Sequence, residues 1–245
     1  MDNTRDPIID YLAYFNQIDK HFDKVLQLNK FLPYNEKIKR LIEWHYDISW
    51  FISLHKYELK FIWELRNHIT HGIKLDGHNY AIPSPYAINK IKMLAKHIKS
   101  PPRCFDVFKK TVFFAKTTDR LKDILLIMKN NNYSHVPIYD KNNHFSGVLT
   151  DSIICYRLIN QLKAGKKSLE DIIIGDIPLW RGSDDYLFVS KNMSIYEIDR
   201  IFTSRKQEHK KLWAIFISNH GKPDEKILWI ITSGDVALVD SYIVH

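Results

Sequence analysis

The sequence predicts an α+β protein in which an N-terminal all-α bundle precedes two β-α-β-β-α repeats. Apolar residues recur at helical spacing through the first hundred residues, and the adjacent prolines Pro101 and Pro102 then end that pattern. Beyond the prolines, short β-branched strands alternate with helices, and the unit occurs twice. The predicted segments are a bundle over 1–99, a linker over 100–104, a first repeat over 105–165 and a second over 166–245.

Three apolar stripes predict the helices of the bundle. The first helix is expected from Asp6 to about Leu28, and the second from Glu36 to about Ser53. A later helix is expected after the helix breakers Pro83 and Pro85. We interpret these stripes as the core of the bundle.

The stretch from Arg66 to His71 lies at the end of an amphipathic helix, and Gly72 follows where a helix is expected to stop. The apolar positions that lead into it are Leu54, Tyr57, Phe61, Leu65 and Ile69. A guanidinium neutralises phosphate, and an imidazole moves protons near neutral pH. Residues five apart on a helix are offset by roughly 140°, so Arg66 and His71 are not expected to share a face, whereas Asn67 and His71 are. Convergence would need an unwound terminus or a second subunit.

The stretch Leu65–Gly72 resembles the signature of HEPN domains, small helical domains with an arginine, a polar residue, a short spacer and a histidine. Many HEPN proteins are metal-independent ribonucleases of toxin–antitoxin or phage-defence systems, and others are non-catalytic. The resemblance implies that Arg66, Asn67 and His71 form a catalytic site in a cleft shared by two subunits. The simpler interpretation is a helix end whose basic residues complement the helix dipole.

The first repeat is predicted to contain a helix beginning near Thr118, the strand His135–Tyr139 and a strand ending near Asp151. In the second repeat, Ser194 and Glu197 have the spacing of a capping box that opens a helix. Two strands follow, over Trp213–Ile217 and Ile227–Asp235. Two such repeats indicate similar units that pack as a pair.

The repeats resemble a tandem pair of CBS domains, whose landmark is Gly-x-x-Thr followed by Asp three residues beyond the Thr. Thr232 and Asp235 match in the second copy, while Thr150 matches in the first and Ile153 occupies its acidic position. A threonine at a helix N-terminus stands where free N–H groups attract phosphate, and a carboxylate can accept hydrogen bonds from ribose hydroxyls. The resemblance implies nucleotide binding by Thr232, Asp235 and Thr150. Alternatively, these residues simply cap helices.

The composition indicates which kinds of partner to expect. The formal net charge of +8 is compatible with RNA as a partner. The N-terminus lacks a signal-peptide layout and no apolar run reaches bilayer length, so we expect a cytoplasmic protein without membrane contact. The pair His68 and His71 lacks further ligands, so no metal site is expected.

The leading hypothesis is a homodimeric, metal-independent endoribonuclease that cleaves RNA by attack of a 2′-hydroxyl and needs no catalytic cofactor. AMP, ADP or ATP would regulate it through the CBS-like pair. The alternative is a catalytically silent HEPN-like dimer whose CBS-like pair senses adenine nucleotides and signals to a partner protein. A third hypothesis gives the bundle only a docking role, toward an antitoxin or nucleotidyltransferase partner.

Overall fold

The computed structural model describes residues 6–44, 47–72, 74–75, 77–108, 111–164, 172–179, 185–208 and 212–243. The chain forms two compact units. The first comprises Met1–Arg103, Met193–Ile201 and Leu238–His245, and the second comprises Cys104–Asn192 and Phe202–Ala237. The first unit thus takes in two segments that the linear boundaries predicted from the sequence assign to the second repeat. Within the described residues, no helix is both long and apolar enough to cross a membrane.

The first unit is helical at its N-terminal side, as the sequence predicts. Its helices are α1 (Pro7–Val25), α2 (Tyr34–Glu43), α3 (Ser49–Leu54), α4 (Lys56–His71) and α5 (Pro85–Lys99). A short hairpin of β1 (Lys74–Leu75) and β2 (His78–Asn79) lies between α4 and α5. The Asp6 carboxylate accepts a hydrogen bond from the N–H of Ile8, and Ser84 Oγ accepts one from the N–H of Ala87, so polar side chains cap the starts of α1 and α5.

The single helix expected from Glu36 to Ser53 is instead two helices, α2 and α3. The first ends at Glu43, and the Trp44 N–H bonds to the Arg40 carbonyl as a final turn. Residues 45 and 46, which the expected helix included, lie outside the described residues. The apolar spacing continues across the break because both helices bury the same kind of face, with Leu41 and Ile52 fully buried.

The apolar stripe expected to lead into Arg66 also differs from the structure. Leu54, Tyr57 and Phe61 are 43%, 73% and 61% exposed. Leu54 belongs to α3, whereas Tyr57 belongs to α4, so the spacing does not run along one helix. The buried residues of α4 are Leu59, Ile62 and Ile69.

The second unit contains two three-stranded sheets with the same pairing pattern. In the first sheet, β3 (Ala115–Lys116) is parallel to β4 (His135–Tyr139), which is antiparallel to β5 (Phe145–Thr150). In the second, β6 (Tyr186–Ser190) is parallel to β7 (Ala214–Ser218), which is antiparallel to β8 (Trp229–Thr232). Three further α-helices belong to this unit: α6 (Cys104–Val107), α7 (Leu121–Asn131) and α8 (Asp151–Ala164). Residues of both units form α9 (Ile195–Gln207) and α10 (Val236–Ile243).

The two sheets share a hydrophobic cluster. Val148 of β5 packs with Ala214 and Phe216 of β7, and the ring of Phe145 lies 5.5 Å from that of Phe216. Burial of these side chains stabilises the pairing of the sheets, because apolar area is removed from water on both. This packing brings the end of β8 close to residues of the first repeat.

The capping box predicted at the start of α9 is only half formed. Ser194 Oγ accepts a hydrogen bond from the Glu197 N–H at 3.3 Å, as predicted. The Glu197 carboxylate, however, binds the guanidinium of Arg200, with 2.8 Å between Oε2 and Nη2. A charged partner one turn along the helix attracts the carboxylate more strongly than a backbone N–H does.

Candidate functional site

A cavity of about 160 Å³ in the second unit contains the two best-matched residues of the CBS-like motif. Thr232 is the last residue of β8, and Asp235 ends the short 3₁₀ turn that follows it. Ile230 of β8 and the segments 111–113 and 132–135 of the first repeat complete the lining. The cavity therefore combines the motif of the second repeat with loops of the first.

Thr232 and Asp235 are tied together by a complete capping box. Asp235 Oδ2 accepts hydrogen bonds from both the N–H and the hydroxyl of Thr232, each at 3.0 Å. Asp235 is only 8% exposed, yet it lines the cavity. The carboxylate is thus held in place at the cavity wall, where an acceptor of ribose hydroxyls is expected.

Two aromatic rings line the same cavity, and sequence reasoning missed both. The rings of Phe113 and Tyr133 are nearly parallel, with centroids 6.1 Å apart and an interplanar angle of 11°. Aromatic faces bind nucleobases by stacking. The sequence signal was an aromatic residue on each side of α7, but only the fold places the two rings beside the Thr232–Asp235 motif.

His135 contributes an imidazole to the cavity and was predicted only as a strand residue. Its Nδ1 lies 2.8 Å from Ser134 Oγ, while its Nε2 is buried with no hydrogen-bond partner among the described residues. Burial lowers the pKa of His135 below its usual value of 6.5, which keeps the ring neutral at neutral pH. No lysine or arginine is among the described residues that line this cavity, so its chemistry suits a nucleoside better than a bare phosphate.

Thr150, the first-copy counterpart of Thr232, does not line this cavity. Its side chain is 3% exposed, and its hydroxyl accepts a hydrogen bond from the Ile153 N–H at 3.3 Å. Ile153, at the position of the missing carboxylate, is buried in the core of the first sheet. Among the described residues, Thr150 therefore acts as a helix cap.

A wider cavity of about 490 Å³ adjoins the first, because Asn132, Tyr133 and Ser134 line both. Lys129 and Asp151 also line this wider cavity. Lys129 places an ammonium in the lining of this adjoining cavity.

The second predicted site, on α4, is a cluster within one chain. Arg66 Nη1 donates to Asn67 Oδ1 at 3.0 Å and lies 3.2 Å from His71 Nε2. The expectation that Arg66 and His71 diverge was wrong, because the long arginine side chain spans the angle between their Cα positions while α4 stays helical to His71. The guanidinium also lies 5.7 Å from the ring centroid of Phe15, which helps to hold its position.

This α4 cluster has the groups for proton transfer and for stabilising phosphate charge. His71 is exposed, while Arg66 and Asn67 are half-buried. A hydrogen bond from Arg66 occupies the lone pair of Nε2, so this bond must open before Nε2 can take a proton as a base. No group of three or more His, Cys, Asp or Glu residues suited to a metal occurs in the described part of the chain.

Comparison with known proteins tests the resemblances. The sequence matches the CBS domain family over residues 104–160. These residues form a CBS domain. The match confirms the CBS resemblance for the first copy and ends before Thr232 and Asp235. No curated protein matches the chain, and no comparison supports the HEPN resemblance.

Solved structures give a weaker likeness. CBSX2 in complex with AMP is 18% identical, with a TM-score of 0.42 over 59% of this chain and 99% of its own. CBSX2 from Arabidopsis thaliana is 16% identical, with a TM-score of 0.43 over 59% and 98%. The CBS domain pair of MJ0100, in complex with 5′-methylthioadenosine and S-adenosyl-L-methionine, is 15% identical, with a TM-score of 0.38 over 58% and 97%. TM-scores below 0.5 are too low to transfer the neighbours' ligands to this chain.

Proposed function

We propose that the protein senses an adenine nucleotide through the cavity that contains Thr232 and Asp235, and that the two repeats act as a CBS pair. The observation that carries the proposal is the position of Asp235, a buried carboxylate at the wall of a cavity that also holds the rings of Phe113 and Tyr133. A nucleoside needs both features, an acceptor for its ribose hydroxyls and an aromatic surface for its base.

The neutral lining of this cavity supports recognition of the nucleoside part of the ligand. Phosphates would extend toward the adjoining cavity, where Lys129 is available. The candidate ligands are AMP, ADP and ATP, which differ in the number of phosphates that they would place near Lys129. The sensing unit would signal to the helical unit or to a partner protein.

Calorimetric titration of the full chain with AMP, ADP and ATP tests this proposal. Asp235→Asn keeps an oxygen for the hydrogen bonds from Thr232 but removes the charge, so it should weaken binding by about tenfold, the cost of one charge-assisted hydrogen bond. Asp123→Asn, an exposed residue of α7 outside the cavity lining, is the matched control and should bind as the wild type does. The proposal fails if none of the three nucleotides binds.

A second function, metal-independent RNA cleavage by the α4 cluster, is favoured by the 3.2 Å approach of Arg66 Nη1 to His71 Nε2. In this proposal, His71 takes the proton of the RNA 2′-hydroxyl, which then attacks the adjacent phosphorus and expels the 5′-oxygen. Arg66 stabilises the charge on the phosphorane, and Asn67 positions the Arg66 guanidinium. The 5′-oxygen takes a proton from water as it leaves, and His71 releases its proton to water, so the products are a 2′,3′-cyclic phosphate and a free 5′-hydroxyl.

We also propose that the chain forms a dimer, for a reason that differs from the one inferred from the sequence. The Arg66–His71 contact forms in one chain, so a second subunit is not needed to bring these residues together. The exposed Tyr57 and Phe61 on α4 instead offer an apolar face that a second copy could cover.

A further inference from the structure

A third cavity in the second unit lies apart from the Thr232–Asp235 motif and has a different chemistry. Its volume is about 270 Å³, slightly below the roughly 300 Å³ at which typical ligand pockets begin. Neither Thr232 nor Asp235 lines it. Among the described residues, Val112 is the only one that lines both this cavity and the Thr232–Asp235 cavity.

The floor of this cavity is apolar and aromatic. Ile227 is 5% exposed, and its N–H donates to the Tyr139 hydroxyl at 3.4 Å, which fixes the tyrosine ring. The ring of Phe114 meets that of Tyr139 edge to face, with centroids 5.6 Å apart, and Phe114 is still 49% exposed. Covering this floor with an apolar group is favourable, because it removes aromatic surface from water.

The rim carries a carboxylate, an ammonium and an amide. Asp224, Lys226 and Asn143 line the cavity, and no described residue forms a hydrogen bond or ion pair with their side chains. All three are exposed. Opposite charges at one rim that do not pair with the protein are available to a ligand carrying both charges.

Both rim segments are held in shape by hydrogen bonds of their own loops. The Asp140 carboxylate accepts from the N–H groups of Asn142 and His144, each at 2.8 Å, which fixes the turn that carries Asn143. The Glu225 carboxylate accepts from the His220 N–H at 2.6 Å. Hydrogen bonds from the His220 backbone and ring and from nearby groups lower the pKa of Glu225 to about 2, so this carboxylate stays ionised and occupied by its loop. A preorganised rim reduces the entropy that a ligand must overcome.

From this arrangement we infer that the cavity is a binding site for an α-amino acid with an aromatic or large apolar side chain. The ligand's ammonium pairs with Asp224, its carboxylate pairs with Lys226, and its side chain covers the floor formed by Phe114, Tyr139 and Ile227. The site is separate from the nucleotide cavity, so the chain would respond to two classes of metabolite.

Titration of the full chain with L-phenylalanine tests this inference, with phenethylamine and 3-phenylpropionate as ligands that each lack one charge. Phenylalanine should bind more tightly than either analogue. Exposed ion pairs contribute up to about 1 kcal/mol, so Asp224→Asn and Lys226→Gln should each weaken phenylalanine binding by roughly three- to fivefold. Asp224→Asn should leave phenylpropionate binding unchanged, and Lys226→Gln should leave phenethylamine binding unchanged.

Lys222→Gln is the control, since Lys222 lies in the same loop but does not line the cavity. All three variants change exposed side chains and should melt as the wild type does. Saturating AMP should not displace phenylalanine. The inference is overturned if phenylalanine does not bind, if both rim variants bind it like the wild type, if an analogue binds as tightly as phenylalanine, or if AMP displaces it.

Discussion

Asp235 Oδ2 accepts two hydrogen bonds from Thr232, one from its N–H and one from its hydroxyl, both at 3.0 Å. The pair caps a helix, because α10 begins at the next residue, Val236. The same two residues also line the cavity. A ribose that binds the Asp235 carboxylate would share it with Thr232. Ligand binding at this point is therefore linked to how firmly the start of α10 is held.

That link predicts a change in local stability. Binding of AMP should protect the backbone amides at the start of α10 from hydrogen exchange, because a ligand that binds the carboxylate must dissociate before the cap can open. Exchange measured by mass spectrometry, with and without AMP, provides the test. Protection should be lost in Asp235→Asn and retained in Asp123→Asn. Equal exchange with and without bound AMP would contradict the link.

RNA cleavage by the α4 cluster predicts a large effect of His71→Ala. Loss of a general base typically costs about 10²–10⁴-fold in rate, so the variant should cleave RNA at least about 100-fold more slowly in EDTA. Because His71 is exposed, the His71→Ala variant should have the same melting temperature as the wild type. His68→Ala, an exposed histidine on the same helical turn, is the matched control and should retain activity. Equal cleavage by wild type and His71→Ala would assign the cluster a structural role.

Assembly through α4 predicts that the full chain is a dimer at micromolar concentration. The full chain is the correct sample, since residues 193–201 belong to the same compact unit as the N-terminal helices. Replacing both Tyr57 and Phe61 by serine should yield monomers in light scattering, because it removes the exposed apolar face. Phe31→Ser, which alters a 90% exposed ring outside α4, should leave the dimer intact. A monomeric wild type would exclude this assembly.

Acid should destabilise the first unit through His97. Burial, and then the charges of Lys96 and His55, lower the pKa of His97 below 6.5, while its Nδ1 lies 2.6 Å from the Tyr196 hydroxyl. A folded-state pKa below the unfolded value means that this stability is present above about pH 6.5 and is lost as the pH falls through the folded pKa. Tyr196, whose pKa is raised by burial, stays protonated throughout this range.

His97→Gln keeps an acceptor for the Tyr196 hydroxyl but cannot titrate. The fall in melting temperature between pH 7.5 and pH 5.5 should therefore be smaller in this variant than in the wild type. It should not vanish, since burial also lowers the pKa values of His21 and His135. An unchanged pH profile would show that His97 does not carry the effect.

The sequence predicted elements whose patterns are local. The strand His135–Tyr139 was placed at its observed bounds, because a short β-branched run between turn residues has few other solutions. The break between α2 and α3 was missed because both helices keep an apolar face and no proline or glycine marks their boundary. Apolar spacing alone does not show where a helix stops.

The candidate sites were predictable in part. Thr232 and Asp235 stand three residues apart, so their pairing follows from the chain itself. The approach of Arg66 to His71 depends on a side-chain conformation, which helical geometry does not fix. The rings of Phe113 and Tyr133 meet the Thr232–Asp235 motif only through packing of the two sheets, and no spacing in the sequence encodes that contact.

Discrimination between AMP and 2′,3′-dideoxy-AMP tests the central proposal most directly, because it probes the contact between the ribose hydroxyls and Asp235. The wild type should bind AMP at least about tenfold more tightly than the dideoxy analogue, since the analogue cannot donate to the carboxylate. In Asp235→Asn the two affinities should converge, while Asp123→Asn should discriminate as the wild type does. Equal affinities in the wild type, or undiminished discrimination in Asp235→Asn, would contradict the proposed nucleotide site.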